Sequence, residues 1–305
     1  MQCAELVSII IVSYKNLVYI KETIDSILIQ TYENIELIIA DDGTIDFNPI
    51  IYQDYIKANN KGNIKNIKVY SNEKNMGTVK NINAAIKASN GKYIKTIAAD
   101  DKLYSEEVIE VLVDCMQKQK VDIVSSNMLF CDDEMNVLKE MNDSIPLNNA
   151  IKDSAGDTKK LFRLLSIQND IPAPTIIIKR DLFKKYGYYD EDYKLLEDWP
   201  MWLRLARNDV GIYYKDIISV KYRYGVGVSN TPNPIYLEDI IKCYEKDILP
   251  YKKQLGVKVY RKLKWNYILN YKISGFSKMQ KINFKLLNID FVIKGKIDRL
   301  ISKKQ

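Results

Sequence analysis

Short apolar runs alternate with stretches of helical periodicity through the first two hundred residues. Val7-Ser8-Ile9-Ile10-Ile11-Val12 is a β-branched run of the kind that parallel sheets bury on both faces. Between Val18 and Gln30 the apolar residues Ile20, Ile24, Ile27 and Leu28 fall on one helical face, and Asn16 or a neighbour is placed to cap it. Strands are then predicted over 35–40, 67–70 and 93–98, with a helix over 79–88 between the last two. A helix over 105–119 and a strand over 122–130 follow, whereas residues 131–157 are polar and weakly periodic and read as an excursion over the surface. Pro172-Ala173-Pro174 leads into a strand over 175–179, helices over 181–186 and 200–207, and a strand over 212–220. Strand and helix in near-regular alternation predict an α/β fold: a Rossmann-like, mostly parallel central sheet with helices on both faces.

Charge changes this picture only at the end of the chain. The net charge of the 305 residues is +7, yet between Tyr251 and Gln305 fifteen Lys or Arg face only Asp290 and Asp298. That segment carries +13 and leaves −6 for the 250 residues before it. The expected organisation is one α/β domain over residues 1–230, made of the halves 1–101 and 102–230. Residues 231–305 form a helical, basic C-terminal region. No apolar run approaches the ~20 residues of a membrane-spanning helix, and the N-terminus has no export signal, so a cytoplasmic protein is expected. Four scattered cysteines read as reduced thiols. The absence of histidine removes the commonest general base, so acid–base chemistry falls to Asp, Glu, Lys, Tyr or Cys.

Polar clusters follow three predicted strands: Ser13-Tyr14, Asp41-Asp42-Gly43 and Asp100-Asp101. The carboxyl ends of neighbouring parallel strands line one crevice, so the clusters should converge. Two carboxylates there cost desolvation energy unless a cation or hydrogen-bond donors compensate them, and a divalent metal on a nucleotide would do so. One carboxylate can accept the imide N–H of uracil while another holds a cation bridging a diphosphate. Taken singly, Asp-Asp-Gly is a turn and Glu197-Asp198 before Trp199 is a helix cap.

The order and spacing of these motifs resemble glycosyltransferase family 2, the inverting nucleotide-sugar transferases of the GT-A fold, from about Leu6 to Ser229. Residues 7–16 are similar to the family's opening strand and loop, and Ser26-Ile27-Leu28-Ile29-Gln30-Thr31-Tyr32 to its first helix end. Asp41-Asp42-Gly43-Thr44-Ile45-Asp46 is similar to its Asp-Asp-Gly-Ser-x-Asp, and Asn75-x-Gly77 through Gly91-Lys92-Tyr93-Ile94 to the approach to its Asp-x-Asp motif. The segment from Lys179 through Gly187-Tyr188-Tyr189-Asp190-Glu191 resembles the one that introduces Glu197-Asp198.

The resemblance implies transfer of a sugar, from a UDP-sugar first of all, to a hydroxyl of a glycan or polyprenyl-linked glycan. Members for capsule or O-antigen assembly provide the comparison. It implies Asp198 as general base, Glu197 and Trp199 on the acceptor side, and Asp100 as ligand of Mn²⁺ or Mg²⁺. Val12, Ser13, Tyr14, Asp41, Asp42, Asn75, Gly77, Lys80, Ala99, Asp100 and Arg223 would surround the nucleotide sugar. The first Asp of Asp-x-Asp is Ala98 here, and no His exists to complete a metal site, so weakened metal or donor affinity is expected. Arg223, in a loop reaching Ser229, could replace the missing charge or form a structural salt bridge. The alternative is a degenerate, non-catalytic scaffold subunit. A nucleotidyltransferase or dinucleotide oxidoreductase is disfavoured because no Gly-rich phosphate loop follows Val12.

The tail mixes cations with Tyr260, Leu263, Trp265, Phe276, Phe284, Leu287 and Phe291, a composition suited either to an anionic membrane interface or to a hairpin packed on protein. Expected partners are therefore the donor, the glycan acceptor, an anionic membrane surface at the inner face of the cytoplasmic membrane, and a second copy in a homodimer. Nucleic acid is not among them, since no recognised binding motif is present.

Overall fold

A computed structural model describes residues 4–15, 17–226 and 233–293. The expected Asn16 cap, the loop from 227 to Ser229 and the end of the basic tail lie outside the described residues. The chain divides into two compact units, Met1–Cys243 and Tyr244–Gln305.

The first unit is built on an eight-stranded sheet in the order β3-β2-β1-β4-β7-β6-β8-β5. Its strands are β1 Val7–Ser13, β2 Ile35–Asp41, β3 Ile64–Ser71, β4 Tyr93–Ala98, β5 Lys102–Leu103, β6 Ile123–Cys131, β7 Ile177–Lys179 and β8 Tyr213–Arg223. β3, β2, β1 and β4 run parallel, as do β6 and β8, while β7 and β5 are antiparallel to their neighbours. The sheet is therefore mixed. Every residue of β2 is buried, including Glu36, whose carboxylate is held by Lys68, Ser8 and Asn90. Burying that carboxylate is tolerable only because it is paired and hydrogen-bonded.

Helices α1 Ile20–Leu28, α2 Pro49–Asn59, α3 Thr78–Ala88, α4 Val108–Gln119, α5 Lys139–Ser144, α6 Asn149–Ser154, α7 Thr158–Leu165, α8 Asp181–Tyr186, α9 Asp198–Arg207 and α10 Pro234–Cys243 complete this unit. Ile20, Ile24 and Ile27 of α1 pack with Ile9 and Ile11 of β1 and with Ile109 and Leu112 of α4 in one apolar core. The polar excursion predicted after Cys131 contains α5 and α6, each only six residues long and too short to show a period in sequence.

The second unit contains α11 Lys252–Leu255, α12 Val257–Tyr267 and α13 Lys278–Leu287. Ser277 and Gln280 form a reciprocal capping box that starts α13. Among the described residues no helix is long and apolar enough to cross a membrane.

Candidate active site

The strand register brings the first clusters together. Ser13 lies beside Asp41 and Val12 beside Ala98, so the ends of β2, β1 and β4 are adjacent. Asp41 accepts from the Ser13 hydroxyl at 2.6 Å, from Thr44 N and Oγ1 at 2.7 and 2.8 Å, and from the Ser71 hydroxyl at 2.7 Å. Asp42 accepts from Asn72 Nδ2 and from the main-chain N–H groups of Met76 and Gly77, at 3.0, 2.8 and 2.8 Å. The two buried carboxylates shape the crevice wall. Gly43 is required directly after them: its φ is +80°, and a Cβ there would lie 2.5 Å from the Lys74 carbonyl carbon. Tyr14, Asn75 and Lys80 are exposed along this rim.

Ala99 does not join the donor surface. Its side chain is buried, its N–H donates to Val12 O at 3.0 Å, and its carbonyl accepts from Thr23 Oγ1 at 2.9 Å. Both backbone groups and the methyl are thus committed to the core.

Of the two readings of Arg223, a loop cation over the diphosphate or a structural salt bridge, the structure shows the second. β8 runs three residues beyond the predicted Val220 and pairs with β6 as far as Cys131 and Arg223, which places the arginine inside the fold at 1% exposure. Its Nε donates to the Asp100 carbonyl at 2.9 Å and its main-chain N–H to Asp101 Oδ1 at 3.0 Å. One guanidinium nitrogen lies 3.2 Å from Glu22, and the guanidinium stacks 3.8 Å from the centroid of the Tyr19 ring. Arg223 therefore braces the Asp100-Asp101 turn from behind.

Asp101 points into the same interior. Burial and the neighbouring Asp100 push its carboxyl well above the usual range, against the pull of Arg223 and of Lys95. Lys95, wholly buried on β4 and bonded to the Pro174 carbonyl, is pushed down to about 7 by burial. Asp101 Oδ2 has no hydrogen-bond partner. Among the described residues no group of three acidic, Cys or His side chains surrounds a metal position. The donor set, Asp100 with Asp101 turned inward, fits a Mn²⁺ or Mg²⁺ ion that arrives largely ligated by diphosphate and water, not a preformed protein cage.

Glu197 and Asp198 stand at the start of α9. Asp198 accepts from Asn169 Nδ2 at 3.1 Å and from Trp199 N at 2.6 Å. Burial pushes Asp198 up to about 6 against these bonds, and burial with the repulsion of Asp198 pushes Glu197 up to about 8. Burial raises the proton affinity of both carboxyls, and the two titrate as a pair. Trp199, expected on the acceptor side, is buried, and its Nε1 donates to the Leu165 carbonyl at 2.8 Å. One residue along a helix turns the side chain by about 100°, which carries Trp199 from the Asp198 face into the core.

Three residues of this half had no signal in sequence. Asn169 is the amide on Asp198. Asp239, on α10, accepts through Oδ2 from the main-chain N–H groups of Lys194, Leu195 and Leu196 at 2.9, 2.7 and 3.2 Å, fixing the segment before Glu197. Tyr236, also on α10, has its hydroxyl pushed up by burial and by the fields of Asp198 and Glu197.

The two halves are joined by hydrogen bonds. Asp42 holds Gly77, a Cβ on Gly77 would lie 3.2 Å from the Lys194 carbonyl, Val79 N donates to that carbonyl at 3.3 Å, and Lys194 N donates to Asp239. Asn83 of α3 ties the same elements through the N–H and carbonyl of Tyr189 and through Glu191.

A model of glycosyl transferase family 2 matches residues 8–187, more than half of the chain. The chain belongs to glycosyl transferase family 2. This glycosyltransferase is 26% identical over 268 residues to an uncharacterised glycosyltransferase of Haemophilus influenzae, covering 85% of this chain and 78% of that one. It is 30% identical over 237 residues to one of Rickettsia prowazekii, covering 72% of this chain and 64% of its relative. It is 26% identical over 249 residues to the processive diacylglycerol β-glycosyltransferase of Mycoplasma genitalium, covering 79% of this chain and 71% of that one. The fold is that of S. aureus TarS 1-349 in complex with UDP, with a TM-score of 0.61 at 17% identity over 88% of this chain and 74% of that one. It is also that of the mannosyltransferase PcManGT of Pyrobaculum calidifontis in complex with GDP-Man and Mn²⁺, with a TM-score of 0.60 at 13% identity over 89% and 71%. The glycosyltransferase thus has a GT-A-like architecture.

Proposed function

We propose that this glycosyltransferase moves a hexosyl or N-acetylhexosaminyl group from a nucleotide sugar, a UDP-sugar first of all, to a hydroxyl of a glycan or lipid-linked glycan in cell-surface polysaccharide assembly. The observation that carries the reading is Asp198. It is a buried carboxyl whose proton affinity burial has raised toward neutrality, held by Asn169 and Trp199 N on a segment tied to α3 through the Lys194 carbonyl.

In this reading the wall shaped by Asp41 and Asp42 receives the base and ribose: both oxygens of Asp41 already accept two bonds each and shape the wall, whereas Asp42 Oδ2, with one bond from Gly77 N, keeps a lone pair for the nucleotide. Ser13, Tyr14, Asn75, Gly77 and Lys80 border the same space. Asp100 holds Mn²⁺ or Mg²⁺, which supplies positive charge to the leaving diphosphate. Asp198 takes the proton of the acceptor hydroxyl as its oxygen attacks the anomeric carbon opposite the leaving group, so the configuration inverts in one displacement. Glu197 beside it positions the acceptor hydroxyl. Support from neighbours is of two kinds: TarS is known with UDP and with UDP-GlcNAc, and the Mycoplasma relative is named for a lipid acceptor.

The test is Asp198→Asn with a donor and an acceptor glycan panel. The variant should bind donor like the wild type while transfer falls by at least about a thousandfold. Retained transfer in Asp198→Asn would remove Asp198 from the role of base.

A further inference from the structure

The second unit presents a face that the transfer reaction does not use. On α13, Phe284 stacks on Trp265 of α12, with ring centroids 4.7 Å apart, and Phe276 meets Phe284 edge-on. Arg261 of α12 pairs with Asp290 at 3.0 Å. These contacts define the inward side of α13.

Met279, Ile282 and Leu286 recur at intervals of three and four residues, on the side of α13 opposite Phe284, and are 67%, 45% and 63% exposed. Lys278, Lys281 and Lys285 recur at the same intervals one position earlier and form a cationic row along one flank of that stripe. Packing against α12 consumes the aromatic residues of the helix and leaves the aliphatic ones facing water. Over residues 251–293 ten Lys or Arg stand against the single acid Asp290, which Arg261 already pairs.

We infer that the Met279, Ile282 and Leu286 stripe with its lysine row is a docking surface for an anionic lipid bilayer, α13 lying in the interface plane. A second copy of this chain is a poorer occupant, because it would bring the same excess of cations to the contact. A narrow aliphatic stripe bordered by lysines seats at the boundary of headgroups and acyl chains, where lysines meet lipid phosphates and apolar side chains leave water. This inference needs neither donor nor acceptor, and it stands or falls apart from the transfer reaction.

Full-length protein sedimented with phosphatidylcholine vesicles containing phosphatidylglycerol, and with phosphatidylcholine alone, tests it. Binding to the anionic vesicles only, weakened by added salt, is expected. Lys278→Ser/Lys281→Ser/Lys285→Ser should lower partitioning about a hundredfold, roughly fivefold per lysine at about 1 kcal/mol each. Met279→Ser/Ile282→Ser/Leu286→Ser should lower it by at least about tenfold. Unchanged circular dichroism and donor binding in both variants show that the chain still folds. Absence of binding to anionic vesicles, equal binding by either variant, or a dimer by light scattering that the apolar variant abolishes would each overturn the proposal.

Discussion

Asn169 donates through Nδ2 to Asp198 Oδ2 at 3.1 Å, although the two residues come from segments 29 positions apart in sequence. The bond favours the charged form of a carboxylate that burial pushes toward the neutral one. Its removal should raise the affinity of Asp198 for its proton. The transfer rate of the wild type should fall as pH drops through about 6, where Asp198 takes up its proton. In Asn169→Ala that acid limb should move upward by about half a unit to one unit, with kcat at neutral pH reduced about tenfold and KM for donor little changed. A pH profile of kcat for both proteins checks this.

Glu197 links the site to stability with the opposite consequence. Its folded-state value is raised from 4.5 to about 8, so over that interval the unfolded chain gives up its proton before the folded one does. The folded state is therefore penalised progressively as pH rises through this window. Glu197→Gln should match the wild type near pH 5 and exceed it by about 2 kcal/mol at pH 8.5, while losing activity. Denaturant unfolding at the two pH values measures the difference.

Arg223 holds the Asp100 carbonyl and the Asp101 carboxylate from inside the protein. Arg223→Ala keeps the main-chain bond to Asp101 but loses the Nε bond to the Asp100 carbonyl, the pair with Glu22 and the buried positive charge near Asp101, and should cost about 3 kcal/mol of stability. Arg223→Lys keeps a charge but not the bond from Nε, so it should recover part of the stability and little of the donor affinity. Urea unfolding and donor titration on both variants separate the two effects.

The turn at Gly43 supports a fourth expectation. Gly43→Ala meets both a positive φ and a backbone contact at 2.5 Å, so it should destabilise the protein by about 2 kcal/mol and shift the Asn75–Gly77 rim. Donor affinity should fall together with stability. Gly62, also at positive φ but with open space around a Cβ, serves as the control, and Gly62→Ala should leave donor affinity unchanged.

The sequence made legible whatever repeats along the chain or sits at the end of an apolar run. β1, β2 and β4 were marked by β-branched residues, and the carboxylates after them follow from strand ends in a parallel sheet. α2 was not visible: only Tyr52 and Ile56 are buried, while Ile50 and Ile51 face solvent, so its apolar residues trace no core-facing stripe. Arg223 was misplaced because the alternation after Val220 gives way to Lys-Tyr-Arg, and only pairing with β6 extends the strand. Lys95 sits in the middle of a core strand, where nothing local announces a buried cation. Asn169, Tyr236 and Asp239 are solitary polar residues distant in sequence from what they serve, and tertiary packing alone gives them a role.

The measurement closest to the central claim is calorimetric titration of a nucleotide-sugar panel, with and without Mn²⁺, on the wild type and on Asp100→Ala. The account predicts that one donor binds the wild type in a metal-dependent manner and that Asp100→Ala lowers its affinity by at least about tenfold. A folded wild-type protein that binds no nucleotide sugar under either condition would contradict it and favour a non-catalytic scaffold.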